Sequence, residues 1–137
     1  IGVVLCVSKK YRRGGMQMLS AELLSFIVGN LIIKNMVDRL RPCQIDETVS
    51  LIVKIPFDSS FPSGHTLNGI TAAVTLMFID KRMGIPAIVL AVLIAFSRMY
   101  NFMHFPTDVL AGAVLGVVSA VFVNFLFKRA GKSEMTK

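Results

Sequence analysis

Residues Val109 to Phe127 form a run of 19 without one charged side chain. At ~1.5 Å per residue a helix of that length is about 28 Å long, close to the roughly 30 Å of hydrocarbon in a bilayer. Ser59 to Ile79 is a second apolar run of 21, interrupted only by His65. Met83 to Ser97 is an uncharged 15. Leu19 to Leu40 reads as one helix with its polar residues near the ends. Ile1 to Val7 has the character of the tail of another apolar helix. Segments apolar on every face suit lipid or the centre of a bundle better than a solvated surface.

Composition agrees. Of the 137 residues, 54% are hydrophobic and 17% charged, and the mean hydropathy is +0.67. That excludes a disordered chain and argues against an ordinary soluble domain, in which about a quarter of residues are charged. The expectation is one all-α domain over residues 1–137. It is a polytopic helical membrane protein with four full transmembrane helices and an N-terminal stub. Because the chain starts with Ile and its first apolar stretch is short, it reads as a fragment lacking earlier residues.

The connections carry the charges. Ser8 to Met18 holds Lys9, Lys10, Arg12 and Arg13, with Gly14-Gly15 as a breaker. Asp80 to Gly84 holds Lys81 and Arg82, and Pro86 fits the first turn of the next helix. Arg41 to Phe61 is the longest connection, and Val49 to Ile55 within it has the pattern of a short strand or interfacial segment. With connections alternating between sides, ten of the 15 Lys and Arg residues fall on one side. Lys34, Arg39, Arg41, Lys54 and Arg98 fall on the other. Basic residues flanking spans favour the cytoplasm, so the richer side is expected inside. The net charge of +7 is then a topology signal and needs no nucleic-acid partner. Cys6 and Cys43 are expected at opposite faces, too far apart for a disulfide.

Ionisable groups near membrane depth are costly and by default mark function. Three clusters stand out. Lys34 and Arg41-Pro42 are seven apart, two helical turns, so both cations can face one side about 10 Å apart. Pro62-Ser63-Gly64-His65 opens an apolar segment, with Ser63 as a candidate N-cap and Gly64 leaving room for a ligand. The free N–H groups of such a first turn favour an anion. Ser97-Arg98 is followed after five residues by His104 and after three more by Asp108. His104 and Asp108 can meet if that segment is helical, and a carboxylate on one ring nitrogen leaves the other free to act.

Counting helices brings all three clusters to one membrane side. His65, His104 and Asp108 have the donor types of an iron or zinc site. Lys34, Arg41 and Arg98 would repel a cation, and the same three residues suit a phosphoryl group. Phosphoryl transfer needs in-line positioning and electrostatic stabilisation of the charge on the equatorial oxygens, which fixed cations and backbone N–H groups can supply.

At these residues the chain resembles the type 2 phosphatidic acid phosphatase family, related to bacterial acid phosphatases and vanadium haloperoxidases. The family pattern is K-x6-R-P, P-S-G-H and S-R-x5-H-x3-D. All eleven defined positions match in order: Lys34, Arg41, Pro42, Pro62, Ser63, Gly64, His65, Ser97, Arg98, His104 and Asp108. The resemblance implies His104 as nucleophile, Asp108 as its orienting partner and His65 as general acid and then base. It implies Lys34, Arg41, Ser63, Gly64 and Arg98 as the phosphoryl cradle, with neither metal nor cofactor. It also implies that the chain holds the last two-thirds of a six-helix bundle acting on lipid phosphates. Candidate substrates are a polyprenyl diphosphate, phosphatidylglycerophosphate and phosphatidate. With the charge asymmetry, the site is expected at the extracytoplasmic face of the cell membrane. The rival readings are a phosphotransferase using the same intermediate and a non-catalytic lipid-phosphate binder. Neither the substrate nor the oligomeric state is legible in the residues.

Overall fold

The computed structural model describes residues 1–45 and 58–134, with no strand among them. The Val49–Ile55 segment lies outside the described residues. A short helix α1 (Gly2–Val7) is followed by a long one in three sections: α2 (Arg12–Ser25), the π-helical π1 (Phe26–Ile33) and α3 (Lys34–Met36). Then come α4 (Pro42–Ile45), α5 (Gly64–Ile79), α6 (Lys81–Tyr100) and α7 (Pro106–Glu134).

Among the described residues three helices are long and apolar enough to cross a membrane: Arg12–Met36, Lys81–Tyr100 and a stretch of α7, Pro106–Gly131. The expected fourth span, α5, is apolar but shorter at 16 residues. It is also the centre of the bundle, packing most extensively on α6 and α7 and also on α2 and π1. Its inward face buries Leu67, Ile70, Ala73 and Leu76. Thr71 and Thr75 are fully buried as well. Their hydroxyls donate to the carbonyls of Leu67 and Thr71, each at 2.8 Å, so no hydroxyl is left unpaired in an apolar setting. The outward faces of α6 and α7 expose Leu90, Leu93, Phe96, Leu110, Val118 and Phe122. Such a belt is what lipid would cover.

Close helix packing explains where the sequence reading of helix ends fails. Gly14-Gly15 does not break a helix; α2 starts at Arg12 and runs through both. A Cβ on Gly15 would lie 2.6 Å from the Cys6 backbone nitrogen, so the glycine admits α1 against α2 at a cost in helix propensity. Pro86 lies inside α6, past its first turn, because Asp80 caps the helix earlier by accepting from the Arg82 N–H at 2.9 Å. The long first helix ends at Met36, short of Leu40.

The connections divide between two ends as alternation requires. At one end the Tyr11 hydroxyl reaches Asp80, and Arg13 donates to the Phe127 carbonyl at 2.6 Å. At the other end lie the connections carrying Arg41, Asp58 and His104. Both cysteines are free.

Candidate active site

A cleft of about 650 Å³ opens at that second end. It is lined by Lys34, Arg41, Gly64, His65, Arg98 and His104 among others, which unites residues from all three sequence clusters.

Lys34 follows the last π-helical residue of the long helix. Arg41 is not on the same helix. Val37 leaves helical geometry at φ −112° and ψ 55°, so the two cations do not share a continuous face. Pro42 disfavours helical geometry for Arg41 itself. They converge through the connection instead. The Asp58 carboxylate pairs with Lys34 and accepts from the Arg41 guanidinium at 2.7 Å. Arg41 is 2% exposed, and it also donates to the Met103 carbonyl at 3.0 Å. Burial works to raise the Asp58 pKa, but the hydrogen bonds and charges of Lys34 and Arg41 outweigh it and hold the carboxyl below its usual range.

Gly64 opens α5 and His65 projects from its first turn into the cleft. A Cβ on Gly64 would stand 2.9 Å from Asn30 Oδ1, so glycine is what lets π1 close on this turn. Ser63 occupies the N-cap position, but its hydroxyl makes no capping bond. It is fully buried and accepts from the Thr66 hydroxyl at 3.0 Å. Its side chain thus turns into the bundle, and its own N–H is taken by the Asp108 carbonyl at 3.0 Å.

His104 lies in the connection between α6 and α7. This connection turns sharply at Phe102, whose φ of 54° is in the left-handed region. The Cys43 N–H of α4 holds the Phe102 carbonyl at 3.1 Å. Helix α7 begins only at Pro106, so His104 is outside it and the helical spacing expected between His104 and Asp108 does not apply. The closest ring nitrogen and carboxylate oxygen, Nδ1 and Oδ2, are 3.8 Å apart, beyond hydrogen-bond range. Nδ1 instead meets the Ser60 carbonyl at 2.7 Å. Asp108 is fully buried. Its Oδ2 accepts from the Ser60 hydroxyl at 2.6 Å and the Phe105 N–H at 2.9 Å. The latter is the reaching-back half of a capping box. Its Oδ1 pairs with Arg39 at 2.7 Å.

These contacts fix the imidazole. A carbonyl only accepts, so Nδ1 carries the proton. Arg41 only donates, and its Nη1 stands 3.2 Å from Nε2, so Nε2 presents its lone pair. Burial first, then the Arg41 charge, push the His104 pKa down to about 4. The ring is neutral at pH 7.

Arg98 also lines the cleft, and among the described residues its side chain donates only to the Ser97 hydroxyl at 3.4 Å. Among the described residues no three His, Cys, Asp or Glu side chains converge. Arg39, Asp58 and Ser60 were not legible as site residues. Arg39 reads only as a polar residue near the end of the Leu19 to Leu40 helix, Asp58 belongs to no motif, and Ser60 meets His104 through its backbone carbonyl, which leaves no signal in residue type.

A model of the PAP2 superfamily matches residues 14–132. An undecaprenyl-diphosphatase of Sulfolobus acidocaldarius is 35% identical over 117 residues, 85% of this chain and 56% of the relative. Phosphatidylglycerophosphatase B of Bacillus subtilis is 33% identical over 100 residues, 65% of this chain and 46% of the relative. The chain spans about half the length of these curated relatives. The crystal structure of a transmembrane PAP2-type phosphatidylglycerolphosphate phosphatase from Bacillus subtilis superposes with a TM-score of 0.74 at 28% identity, covering 93% of this chain and 65% of that one.

Proposed function

Because the chain belongs to the PAP2 superfamily, we propose that it is an integral-membrane lipid phosphate or diphosphate phosphatase working through a phosphohistidine at His104. The observation that carries this reading is the imidazole whose Nδ1 is held by the Ser60 carbonyl and whose Nε2 lone pair faces Arg41 in the cleft. A neutral imidazole with Nδ1 engaged is a competent nucleophile once its Nε2 lone pair turns from Arg41 to phosphorus.

In the first step Nε2 attacks phosphorus and the bond to the departing oxygen breaks. His65 gives that oxygen a proton. The leaving group is a lipid alcohol, or a lipid monophosphate when the substrate is a diphosphate. In the second step His65 takes a proton from water, the oxygen attacks phosphorus, and the P–N bond breaks to return the lone pair to Nε2. Lys34, Arg41 and Arg98 stabilise charge on the equatorial oxygens. Gly64 leaves the start of α5 open to the phosphoryl group. Asp108 acts on His104 across 3.8 Å, favouring the positive charge that develops on the ring. Ser63 contributes through its place at the start of α5, since its hydroxyl is turned away. The mechanism needs no metal or other cofactor.

The substrate class follows from the setting, an anion site at the end of helices long enough to cross a membrane. Polyprenyl diphosphate, phosphatidylglycerophosphate and phosphatidate are the candidates, and relatives named for the first two support them. The charge asymmetry supports an extracytoplasmic site at the cell membrane.

The test is phosphate release from these three lipids in detergent, with a chelator present and with a His104→Ala control. Release that survives the chelator and disappears in the variant is expected. Release that needs added metal, or persists in the variant, contradicts the proposal.

A further inference from the structure

Two of the three cations assigned to the phosphoryl group already hold an anion. Lys34 and Arg41 have side chains only 11% and 3% exposed, and both pair with Asp58. Buried charges without a partner are strongly destabilising, so a cradle built for phosphate needs an occupant between turnovers. The same Arg41 guanidinium spans the two sites. Its Nη1 is 3.2 Å from His104 Nε2 and its Nη2 is 2.7 Å from Asp58 Oδ1. A phosphoryl group bonded to Nε2 therefore competes with this carboxylate for Arg41 and Lys34.

The geometry points to Asp58 as an internal stand-in for phosphate, which closes the cradle at rest and is displaced by the substrate's phosphoryl group. This rests on the phosphatase reading above. The carboxylate has somewhere to go. It is 51% exposed, so turning it out to water costs little desolvation. A second cleft of about 540 Å³ shares Asn30, Lys34 and Asp58 with the first, so the Lys34–Asp58 pair stands as the wall between them. Asp38 and Ser59 also line the second cleft. Asp58 can leave the first cleft without crossing the bundle.

Competition of this kind sets specificity and turnover together. A carboxylate carries one charge on two oxygens, and a phosphate ester or diphosphate carries more on each. Highly charged lipid phosphates displace Asp58 best. After hydrolysis, the returning carboxylate helps to expel inorganic phosphate, whose retention would otherwise slow the cycle.

The test is binding of inorganic phosphate and of orthovanadate to the full chain in detergent, by calorimetry, for wild type, Asp58→Asn and Asp58→Ala. An internal competitor lowers apparent affinity by the fraction of time the cradle stands open. Both variants are expected to bind the two anions about tenfold more tightly than wild type. Without anion they are expected to melt at lower temperature, because two buried cations lose their partner. Added phosphate is expected to raise their melting temperature more than that of wild type. A carboxylate with a purely structural role would lower the melting temperature without tightening binding. Unchanged or weaker anion binding in both variants overturns the role of Asp58 and leaves the phosphatase reading standing. Failure of all three proteins to bind either anion overturns both.

Discussion

In the proposed mechanism His104 takes its reactivity from its neighbours rather than from its type. The Ser60 carbonyl takes one nitrogen and Arg41 faces the other. Nitrogen NMR of labelled histidine should show the Nδ1–H tautomer at pH 7 and no protonation of His104 until pH nears 4. An ordinary titration near 6.5 would contradict this account of the site. The linkage sign follows. The unfolded chain takes up its proton first as pH falls, so stability is full above about 6.5 and is lost between there and about 4. Melting temperature in detergent should fall across that window, and less steeply in His104→Asn. Ser60→Ala keeps the carbonyl and removes the hydroxyl from Asp108. A hydrogen bond to a buried charge contributes ~1.5–3 kcal/mol, so kcat should drop by about tenfold to a hundredfold while the tautomer stays the same. An undiminished kcat would show that the Ser60 hydroxyl has no positioning role.

At the scale of helices, the site depends on α5 and α7 lying almost backbone to backbone. A Cβ on Gly112 would stand 2.7 Å from the Ser63 carbonyl, and one on Gly116 would stand 2.8 Å from the Leu67 carbonyl. Backbone cannot yield as a flexible side chain does. Gly116→Val should destabilise the bundle by ~1–3 kcal/mol, read as a lower melting temperature in detergent. Gly112→Ala should reduce phosphate release more than it reduces stability, because it pushes on the turn that carries His65. Equal effects on both would contradict that assignment. The existence of these helices was legible in runs of apolar residues, but their ends were not. Gly14-Gly15 looks like a breaker until α1 is seen packed against it, and Pro86 looks like a first-turn proline until Asp80 is seen capping the helix. Spacing paired Lys34 with Arg41 and His104 with Asp108 through a helical geometry that the chain does not use. In both pairs the helix stops between or beside the two residues and a connection brings them near. Period-based reasoning sees helices, whereas Asp58 and Ser60 act from connections that have no period.

For the whole molecule, the two-ended distribution of charge was legible from the sequence because short connections must alternate between ends. Leu40 is 59% exposed at the site end, and Arg82 is exposed at the other. Cysteines placed at these positions, with Cys6 and Cys43 replaced by Ser, should react from opposite faces of intact cells or vesicles. Leu40→Cys should label from outside and Arg82→Cys only from the cytoplasm; the reverse would sink the extracytoplasmic assignment. All of these expectations converge on one covalent event. Rapid alkaline quenching of the full chain during turnover of a lipid phosphate, followed by peptide mass spectrometry, locates any phosphoryl group directly. One phosphoryl group on His104, absent from His104→Ala, is the predicted result. A phosphoryl group on another residue, or turnover that continues in His104→Ala, would contradict the central claim.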